Sequence, residues 1–201
     1  RSIEFRGADG LYINGKPFGD KLMGVNRHQD YAYIGNAVPN NLHWLDVKKM
    51  RDAGFRIIRS AHYPQDPAFM DACDELGMFI IVATPGWQYW NPEPVFEERI
   101  LSDIRNMVRR DRNHPSVLLW EPVLNETAFP ESFAQNAYRA THEEYPAPGC
   151  YAAIDDKSKG AMGYDVVYTA PKNEAFYRNA GKSCFTREYG DCVDDWNSHN
   201  S

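Results

Sequence analysis

Apolar, strand-like runs alternate along this chain with segments that have the periodicity of amphipathic helices. Parallel strands that alternate with helices are joined by right-handed crossovers, and the resulting sheet is covered by helices on both faces. The run at 79–82 fits such a sheet because its residues are all apolar and do not alternate in polarity. The pattern therefore predicts an α/β fold. The predicted strands lie at 21–26, 56–62, 78–84, 117–120, 150–154, 166–170 and 183–189.

Local signals predict helices between these runs and a hairpin before them. Apolar residues recur at helical spacing over 69–76, and Gly77 follows as a stop signal. A second apolar stripe, with charged residues between its members, predicts a helix over 96–108. Asn14-Gly15, between two short apolar arms, predicts a type I′ hairpin. Weaker helical patterns lie at 42–53, 130–144 and 173–180.

The length and composition restrict the class of protein and the kind of partner. A chain of 201 residues forms one large domain or two small ones, and we expect a hairpin lead-in at 1–20 and one domain at 21–201. A content of 43% apolar and 13% aromatic residues excludes a disordered chain. The net charge of −6, without a Lys/Arg cluster, argues against nucleic-acid and polybasic membrane partners. No apolar stretch is long enough to span a membrane, so a neutral partner fits better.

The cysteines and the N-terminus leave the compartment open. Cys73, Cys150, Cys184 and Cys192 lack the clustering of a zinc site. We interpret them as buried thiols, with one disulfide as the alternative. The chain starts at Arg1 with neither a Met nor a signal-peptide pattern, so we expect it to be an internal piece of a longer protein.

Two closures of the predicted sheet compete, an open doubly wound sheet and a (β/α)8 barrel. The phosphate-binding patterns Gly-x-Gly-x-x-Gly and Gly-x-x-x-x-Gly-Lys, which often accompany open sheets, follow none of the strands. In barrels the reacting groups lie at the C-terminal ends of the strands. Glu126 and Glu188 follow the fourth and seventh strands, and these strand ends can face each other across a barrel mouth.

Paired carboxyl groups are what glycoside cleavage requires, because one protonates the leaving oxygen and the other opposes an oxocarbenium-like transition state. Each residue also has a structural explanation. Glu126 can favour the first turn of the following helix, and Glu188 can be a solvated loop residue. His28 and His62, each taken alone, are more typical of turn or hydrogen-bonded core histidines than of catalytic ones. Arg59, inside an apolar run, needs a partner if it is buried, and Glu188 is the obvious candidate.

Three segments resemble a known family. Residues 111–126 read Asp-Arg-Asn-His-Pro-Ser-Val-Leu-Leu-Trp-Glu-Pro-Val-Leu-Asn-Glu, which is similar to the acid/base signature of glycoside hydrolase family 2. Residues 24–28 (Gly-Val-Asn-Arg-His) and 59–64 (Arg-Ser-Ala-His-Tyr-Pro) resemble two further strand motifs of that family, in the same order and spacing. The family contains β-galactosidases, β-glucuronidases and β-mannosidases, and the resemblance implies a (β/α)8 TIM barrel.

The resemblance implies a role for each matching residue. Glu126 corresponds to the general acid/base, and Asn125 to the residue that binds the sugar 2-hydroxyl. Glu188 corresponds to the nucleophile, and Arg59 to the arginine that orients it. The acid should keep its proton near neutral pH while the nucleophile stays ionised, so we expect their environments to push the two pKa values apart. The resemblance also implies two histidines at the mouth, His28 and His62.

The end of the third strand departs from the family pattern. Many relatives have an acidic pair there, whereas this chain has Ala83-Thr84, and we expect neither a metal site nor a cofactor. Trp87, Tyr89 and Trp90 follow and could form a stacking wall for a sugar ring, with ordinary loop packing as the equal alternative. A further candidate for substrate binding is Tyr168, at the end of the sixth strand.

The combined pattern predicts a retaining β-glycosidase that acts by double displacement on terminal β-glycosides, most of all β-galactosides. The alternatives are a β-glucuronidase or β-mannosidase of the same family and a non-catalytic barrel that binds carbohydrate. A metal-dependent barrel hydrolase would need His-x-His at the first strand end, where 26–28 read Asn-Arg-His.

We also expect an incomplete barrel. A (β/α)8 barrel takes about 250 residues, with a lower limit near 200, and no eighth strand fits between Glu188 and Ser201. The exposed strand edges would favour self-association, and the isolated chain would hydrolyse glycosides feebly or not at all.

Overall fold

The computed structural model describes residues 1–188, which begin with a small antiparallel sheet. Asn14 and Gly15, between its second and third strands, have φ values of +52° and +73°, and a type I′ turn needs two positive φ values. The sequence analysis did not predict the first strand of this sheet. In spatial order the strands are β1 (Ile3–Phe5), β2 (Leu11–Ile13) and β3 (Lys16–Pro17).

Seven parallel strands and five α-helices make up most of the rest of residues 1–188, and an α-helix lies between each pair of consecutive strands except the fifth and sixth, which a short 3-10 turn connects. Each predicted strand and each predicted helix overlaps one of them, and position 189 of the last predicted strand lies outside the described residues. The strands are β4 (Gly24–Arg27), β5 (Ile57–Ser60), β6 (Phe79–Ala83), β7 (Val117–Glu121), β8 (Ala153–Asp155), β9 (Val166–Tyr168) and β10 (Ser183–Phe185). The helices are α1 (Asn40–Asp52), α2 (Pro67–Leu76), α3 (Pro94–Asp111), α4 (Glu131–Glu144) and α5 (Glu174–Asn179).

The order of the parallel strands distinguishes a barrel from a doubly wound sheet. Strands β4 to β7 pair in chain order, as do β8 to β10. A single bridge between Trp120 and Ala152 joins the two groups. A doubly wound sheet reverses its order at a switch point, whereas this wall does not reverse. The side chain of Asn26 on β4 bonds Glu188 after β10, so the wall curves round and the fold is an α/β TIM barrel.

Helix α2 shows how local chemistry fixes an element. Asp66 accepts a hydrogen bond from the Ala68 amide at 2.8 Å, and Pro67 occupies the first turn, where a missing N–H costs nothing. Gly77 ends the helix in the left-handed conformation, with φ of +70°. These signals surround the apolar stripe, and they explain why the predicted helix at 69–76 is confirmed.

The small N-terminal sheet lies at the end of the barrel where the strands begin. Arg1 donates a hydrogen bond to the carbonyl oxygen of Val117, the first residue of β7, and lies over the ring of Phe79, the first residue of β6. Ile3 belongs to the same core cluster as Ile57 and Leu119. The polar side chains that line the cavity lie at the opposite end of the barrel, where the strands end.

The cysteines of the described residues agree with the interpretation as thiols. Cys73 and Cys150 are buried and Cys184 is half-buried, and all three are unpaired within residues 1–188. Burial raises the pKa of the Cys73 and Cys150 thiols, so they stay protonated at neutral pH. Cys192 lies outside the described residues.

Candidate active site

A cavity of about 620 Å³ opens at the C-terminal ends of the barrel strands. Its lining combines apolar residues with two carboxyl groups and several polar side chains, and it includes seven of the ten residues that the sequence analysis selected. These seven are His28, Arg59, His62, Trp87, Asn125, Glu126 and Glu188.

 The other three selected residues, Tyr89, Trp90 and Tyr168, do not line the cavity.

Arg59, near the end of β5, is the central contact of the site. Its side chain is buried, and its Nη1 atom donates a hydrogen bond to Oε1 of Glu188 at 2.7 Å. The Asn26 amide donates to the same oxygen at 3.0 Å. Glu188 itself is about one-quarter exposed, at 26%. The carboxylate is therefore fixed from the side of the barrel and stays accessible from the cavity.

Glu121, the last residue of β7, is a second partner of Arg59 that the sequence analysis did not select. Its Oε2 accepts a hydrogen bond from Arg59 Nε at 2.7 Å, and its Oε1 accepts one from Nη2 at 2.5 Å. The hydroxyl of Tyr168 donates to Oε2 at 3.2 Å. A lone acid in an apolar run is the same signal that drew attention to Arg59, and it could have identified this pair.

Glu126 is held by the loop that follows β6. Trp87 Nε1 and Gln88 Nε2 donate hydrogen bonds to its Oε2 atom at 3.0 and 2.7 Å. These two bonds lower the pKa of Glu126, against a smaller opposing effect of burial. The expectation of a protonated acid in the free site is therefore wrong in its direction, because neutral donors favour the carboxylate.

The backbone brings the two loops together. Trp87 and Asn125 form a parallel bridge, and the Gln88 amide donates to the Asn125 carbonyl at 3.0 Å. Gln88 and Glu126 both have left-handed backbones, with φ of +55° and +47°. Non-glycine residues rarely adopt this conformation, and such strained residues cluster at functional sites.

Two histidines and a tryptophan form one side of the cavity. The ring of His62 stacks on Trp87 at 5.8 Å and meets His28 edge-on at 5.7 Å between centroids. Burial and the charge of Arg59 lower the pKa of His62, so its ring is neutral at pH 7. Its Nε2 atom lies 3.5 Å from the Asn125 amide nitrogen, which places a neutral, flat surface beside Glu126.

Asn125 is oriented by two arginines. Its side-chain oxygen accepts hydrogen bonds from Arg59 Nη2 at 3.1 Å and from Arg187 Nη1 at 2.5 Å. Arg187, to which the sequence analysis gave no role, also pairs with Asp155 at 2.7 Å. Because both arginines bind the side-chain oxygen of Asn125, its side-chain NH2 group remains to act as a hydrogen-bond donor.

The sequence profile described as "Glycosyl hydrolases family 2, TIM barrel domain" matches residues 3–147, which is well over half of the chain. The chain belongs to glycosyl hydrolase family 2. The matched part of this family 2 domain contains Arg59, Asn125 and Glu126, whereas Glu188 lies beyond it.

Relatives of this family 2 domain support the assignment. A β-galactosidase of Thermoanaerobacterium thermosulfurigenes is 39% identical over 140 residues, which cover 69% of this chain and 19% of that protein. A putative β-glucuronidase of Formosa agariphila is 33% identical over 120 residues, covering 60% of this chain and 14% of that protein. The crystal structure of a β-glycosidase from Bacteroides vulgatus superposes with a TM-score of 0.73 at 28% identity, covering 92% of this chain and 24% of that one. The chain thus spans about a fifth of the length of such relatives.

Two of the expected substrate-binding residues lie away from the cavity of the family 2 domain. Tyr168 is buried below Glu121 and donates to it, so its contact is with the barrel interior. Trp90 packs on Phe96 and Phe133, at 5.4 and 4.8 Å between centroids. Of the aromatic group after β6, Tyr89 is 60% exposed and packs edge-on against Phe96, and Trp87 is the member that lines the cavity.

The part of the domain that the structure describes contains no group of three or more His, Cys, Asp or Glu side chains placed to hold a metal ion. The expectations that the domain needs neither a metal nor a cofactor stay predictions. Over the same residues, no helix has the length and apolar character needed to cross a membrane.

Proposed function

We propose that this domain catalyses the hydrolysis of terminal β-galactosides by a retaining double displacement. The observation that carries the proposal is that Arg59 fixes the carboxylate of Glu188 in the same cavity that contains Glu126. Two carboxyl groups at facing strand ends are the groups that this reaction uses. The β-galactosidase name of a relative with 39% identity supports the choice of sugar.

In the first displacement, Glu188 attacks the anomeric carbon while Glu126 protonates the leaving oxygen. The bond from the anomeric carbon to the leaving oxygen breaks as the bond to Glu188 forms. Both hydrogen bonds from Trp87 and Gln88 end on Oε2 of Glu126, so we assign the transferred proton to its Oε1 atom. Arg59 holds the carboxylate of the nucleophile in place.

In the second displacement, Glu126 removes a proton from water, and that water attacks the anomeric carbon of the glycosyl-enzyme. The bond to Glu188 breaks, and the sugar leaves with its original anomeric configuration. Ionised Glu126 is the form that this step requires, and the two donors on Oε2 favour it.

The cavity also offers groups that bind a sugar ring. We assign the Asn125 amide to the 2-hydroxyl, since its oxygen is already engaged by Arg59 and Arg187. Trp87, 55% exposed and stacked on His62, offers an apolar face to the C–H side of the ring. His28 completes this side of the mouth.

We further propose that residues 21–188 supply seven of the eight strands of the barrel. Seven strands occur in the described residues, and β4 and β10 border the cavity next to the nucleophile.

The proposed activity is tested by incubating the full-length natural protein with 4-nitrophenyl β-galactoside, β-glucuronide and β-mannoside. We expect turnover of the galactoside, with the β-anomer as the first sugar product in a proton NMR time course. Preferred turnover of another sugar would correct the substrate. An α-anomer would contradict the double displacement, and binding without turnover would favour the non-catalytic barrel.

The roles of the two glutamates are tested by substitution. Glu188→Gln should reduce turnover by at least about 10⁴-fold on every substrate, because the nucleophile is lost. Glu126→Ala should retain most activity on 2,4-dinitrophenyl β-galactoside, whose leaving group needs no proton, and little on methyl β-galactoside. Equal losses on both substrates would contradict the assignment of Glu126 as the acid.

A further inference from the structure

Glu121 is a buried carboxylate that the double displacement does not use. It is 1% exposed, lies at the end of β7 and does not line the cavity. A buried charge is costly unless it is paired and hydrogen-bonded. The position of Glu121 therefore calls for an explanation in terms of its partners.

Arg59 pairs with two carboxylates, in addition to its hydrogen bond to Asn125. Its Nε and Nη2 atoms face Glu121 in a two-point contact, and its Nη1 atom faces Glu188 at 2.7 Å. Because a guanidinium group is planar and rigid, fixing Nε and Nη2 also fixes the direction of Nη1. Arg59, which orients the nucleophile Glu188, is therefore itself oriented by Glu121.

The positive charge of Arg59 is shared between Glu121 and Glu188. One cation lies between two anions, and the Tyr168 hydroxyl is a further donor to Glu121. Burial alone would raise the pKa of Glu121, but the charge of Arg59 and its hydrogen bonds outweigh burial and lower it. Glu121 is thus ionised, and it takes up part of the positive charge that Arg59 would otherwise direct at Glu188 alone.

We propose that Glu121 is a positioning residue that fixes Arg59 toward Glu188 and limits how strongly the arginine charge stabilises the nucleophile. A carboxylate that is held too tightly by a cation is a weaker nucleophile, because its charge is already satisfied. The inference rests on the proposed function, in which Glu188 is the nucleophile.

The test compares Glu121→Gln and Glu121→Asp with the unmodified full-length protein, using kcat/KM for 4-nitrophenyl β-galactoside from pH 3 to pH 9. The acidic limb of this profile follows ionisation of the free enzyme's essential groups. Glu121→Gln removes a negative charge, so we expect the limb to move to lower pH by about one unit. We also expect the plateau to fall by roughly tenfold to a hundredfold.

Glu121→Asp keeps the charge and shortens the side chain, so it separates charge from geometry. We expect its acidic limb to stay in place and its plateau to fall at least about tenfold, through displacement of Arg59. If Glu121→Gln does not fold, this variant decides the question, since an unchanged plateau would overturn the proposal.

Asp111→Asn is the matched control. Asp111 is buried and forms a two-point contact with Arg110, at 2.6 and 2.8 Å, and it does not line the cavity. It should lower stability without moving the acidic limb. A folded Glu121→Gln variant with an unmoved limb, or a plateau loss no greater than that of the control, would overturn the proposal. Absence of any glycosidase activity in the unmodified protein would instead reject the proposed function.

Discussion

Glu126 is ionised in the free site, although the proposed first displacement needs it to carry a proton. The cause is local, since Trp87 and Gln88 both donate to one of its oxygens and lower its pKa. A sugar that covers the cavity excludes water, and loss of hydration favours the neutral carboxyl form. On the proposed mechanism, substrate binding and protonation of Glu126 are therefore coupled.

Removal of one donor should shift this balance. Gln88→Leu deletes the 2.7 Å bond to Glu126, so the pKa of Glu126 should rise and the acid should stay protonated to higher pH. We expect the basic limb of kcat/KM for 4-nitrophenyl β-galactoside to move upward by about half a unit to one unit. Gln135→Leu, which removes a Gln–Glu contact on the outer surface of α4, is the control. A basic limb that stays in place would contradict the role of Gln88.

Individual site residues differed in how far the sequence could predict them. Arg59 was expected to need a partner, and the structure gives it both Glu188 and Glu121. Glu188 could be selected because it follows a strand within a recognisable motif. Glu121 was not selected, because it is part of strand β7 itself. Gln88 was not predictable in this sense, because its contact depends on a left-handed turn that no spacing rule encodes.

The loops after β6 and β7 act as one element. Gly86 has φ of +141°, and a Cβ atom placed on it would lie 2.6 Å from Cδ2 of Leu124. This close approach brings Trp87 beside Asn125, where the two loops form their bridge. The hydrogen bonds to Glu126 thus depend on the backbone of Gly86, which directly precedes the donors Trp87 and Gln88.

Gly86→Ala should separate the two loops. The added methyl group meets Leu124, and the φ value is one that residues with a Cβ atom rarely adopt. We expect a loss of about 1–3 kcal/mol in the free energy of unfolding and at least about a tenfold loss in kcat/KM. Gly163→Ala is the control, since its position has open space and no positive φ. Urea unfolding measures the loss of stability, and steady-state kinetics measure the loss in kcat/KM. Equal losses in Gly86→Ala and Gly163→Ala would contradict the role of Gly86 in joining the two loops.

The elements themselves followed from periodicity where they were long or well bounded. Helix α2 has an apolar stripe, an Asp66 cap and a Gly77 stop, so both its existence and its end could be predicted. Strand β1 has three residues and is defined by its pairing with β2. Such a short segment has no periodicity of its own, which is why the sequence analysis did not predict it.

At the scale of the whole molecule, a half-buried carboxylate links the helical layer to the barrel wall. Asp165, just before β9, accepts hydrogen bonds from Tyr138 at 2.9 Å, and His142 Nε2 lies 3.0 Å away; both residues belong to α4. It also accepts one from the Ala152 amide at 2.8 Å, beside the bridge that joins the two halves of the wall. One side chain therefore connects α4 to the junction of the strands.

This connection makes stability depend on pH in a specific direction. Burial raises the pKa of Asp165, but hydrogen bonds from His142 and the Ala152 amide outweigh it, and the net shift is downward. A carboxyl group with a lowered folded-state pKa adds stability above its unfolded value of about 3.9, and that stability is lost as pH falls through the folded value. Asp165→Asn should therefore lower the free energy of unfolding by about 2 kcal/mol at pH 7, and by progressively less below about pH 4. Urea unfolding between pH 7 and pH 3 measures the difference. The control is Asp52→Asn, because Asp52 is an exposed partner of Lys48. We expect this control to change the free energy of unfolding by less than about 0.5 kcal/mol at every pH. A loss of equal size at every pH would show that Asp165 contributes by shape and not by charge.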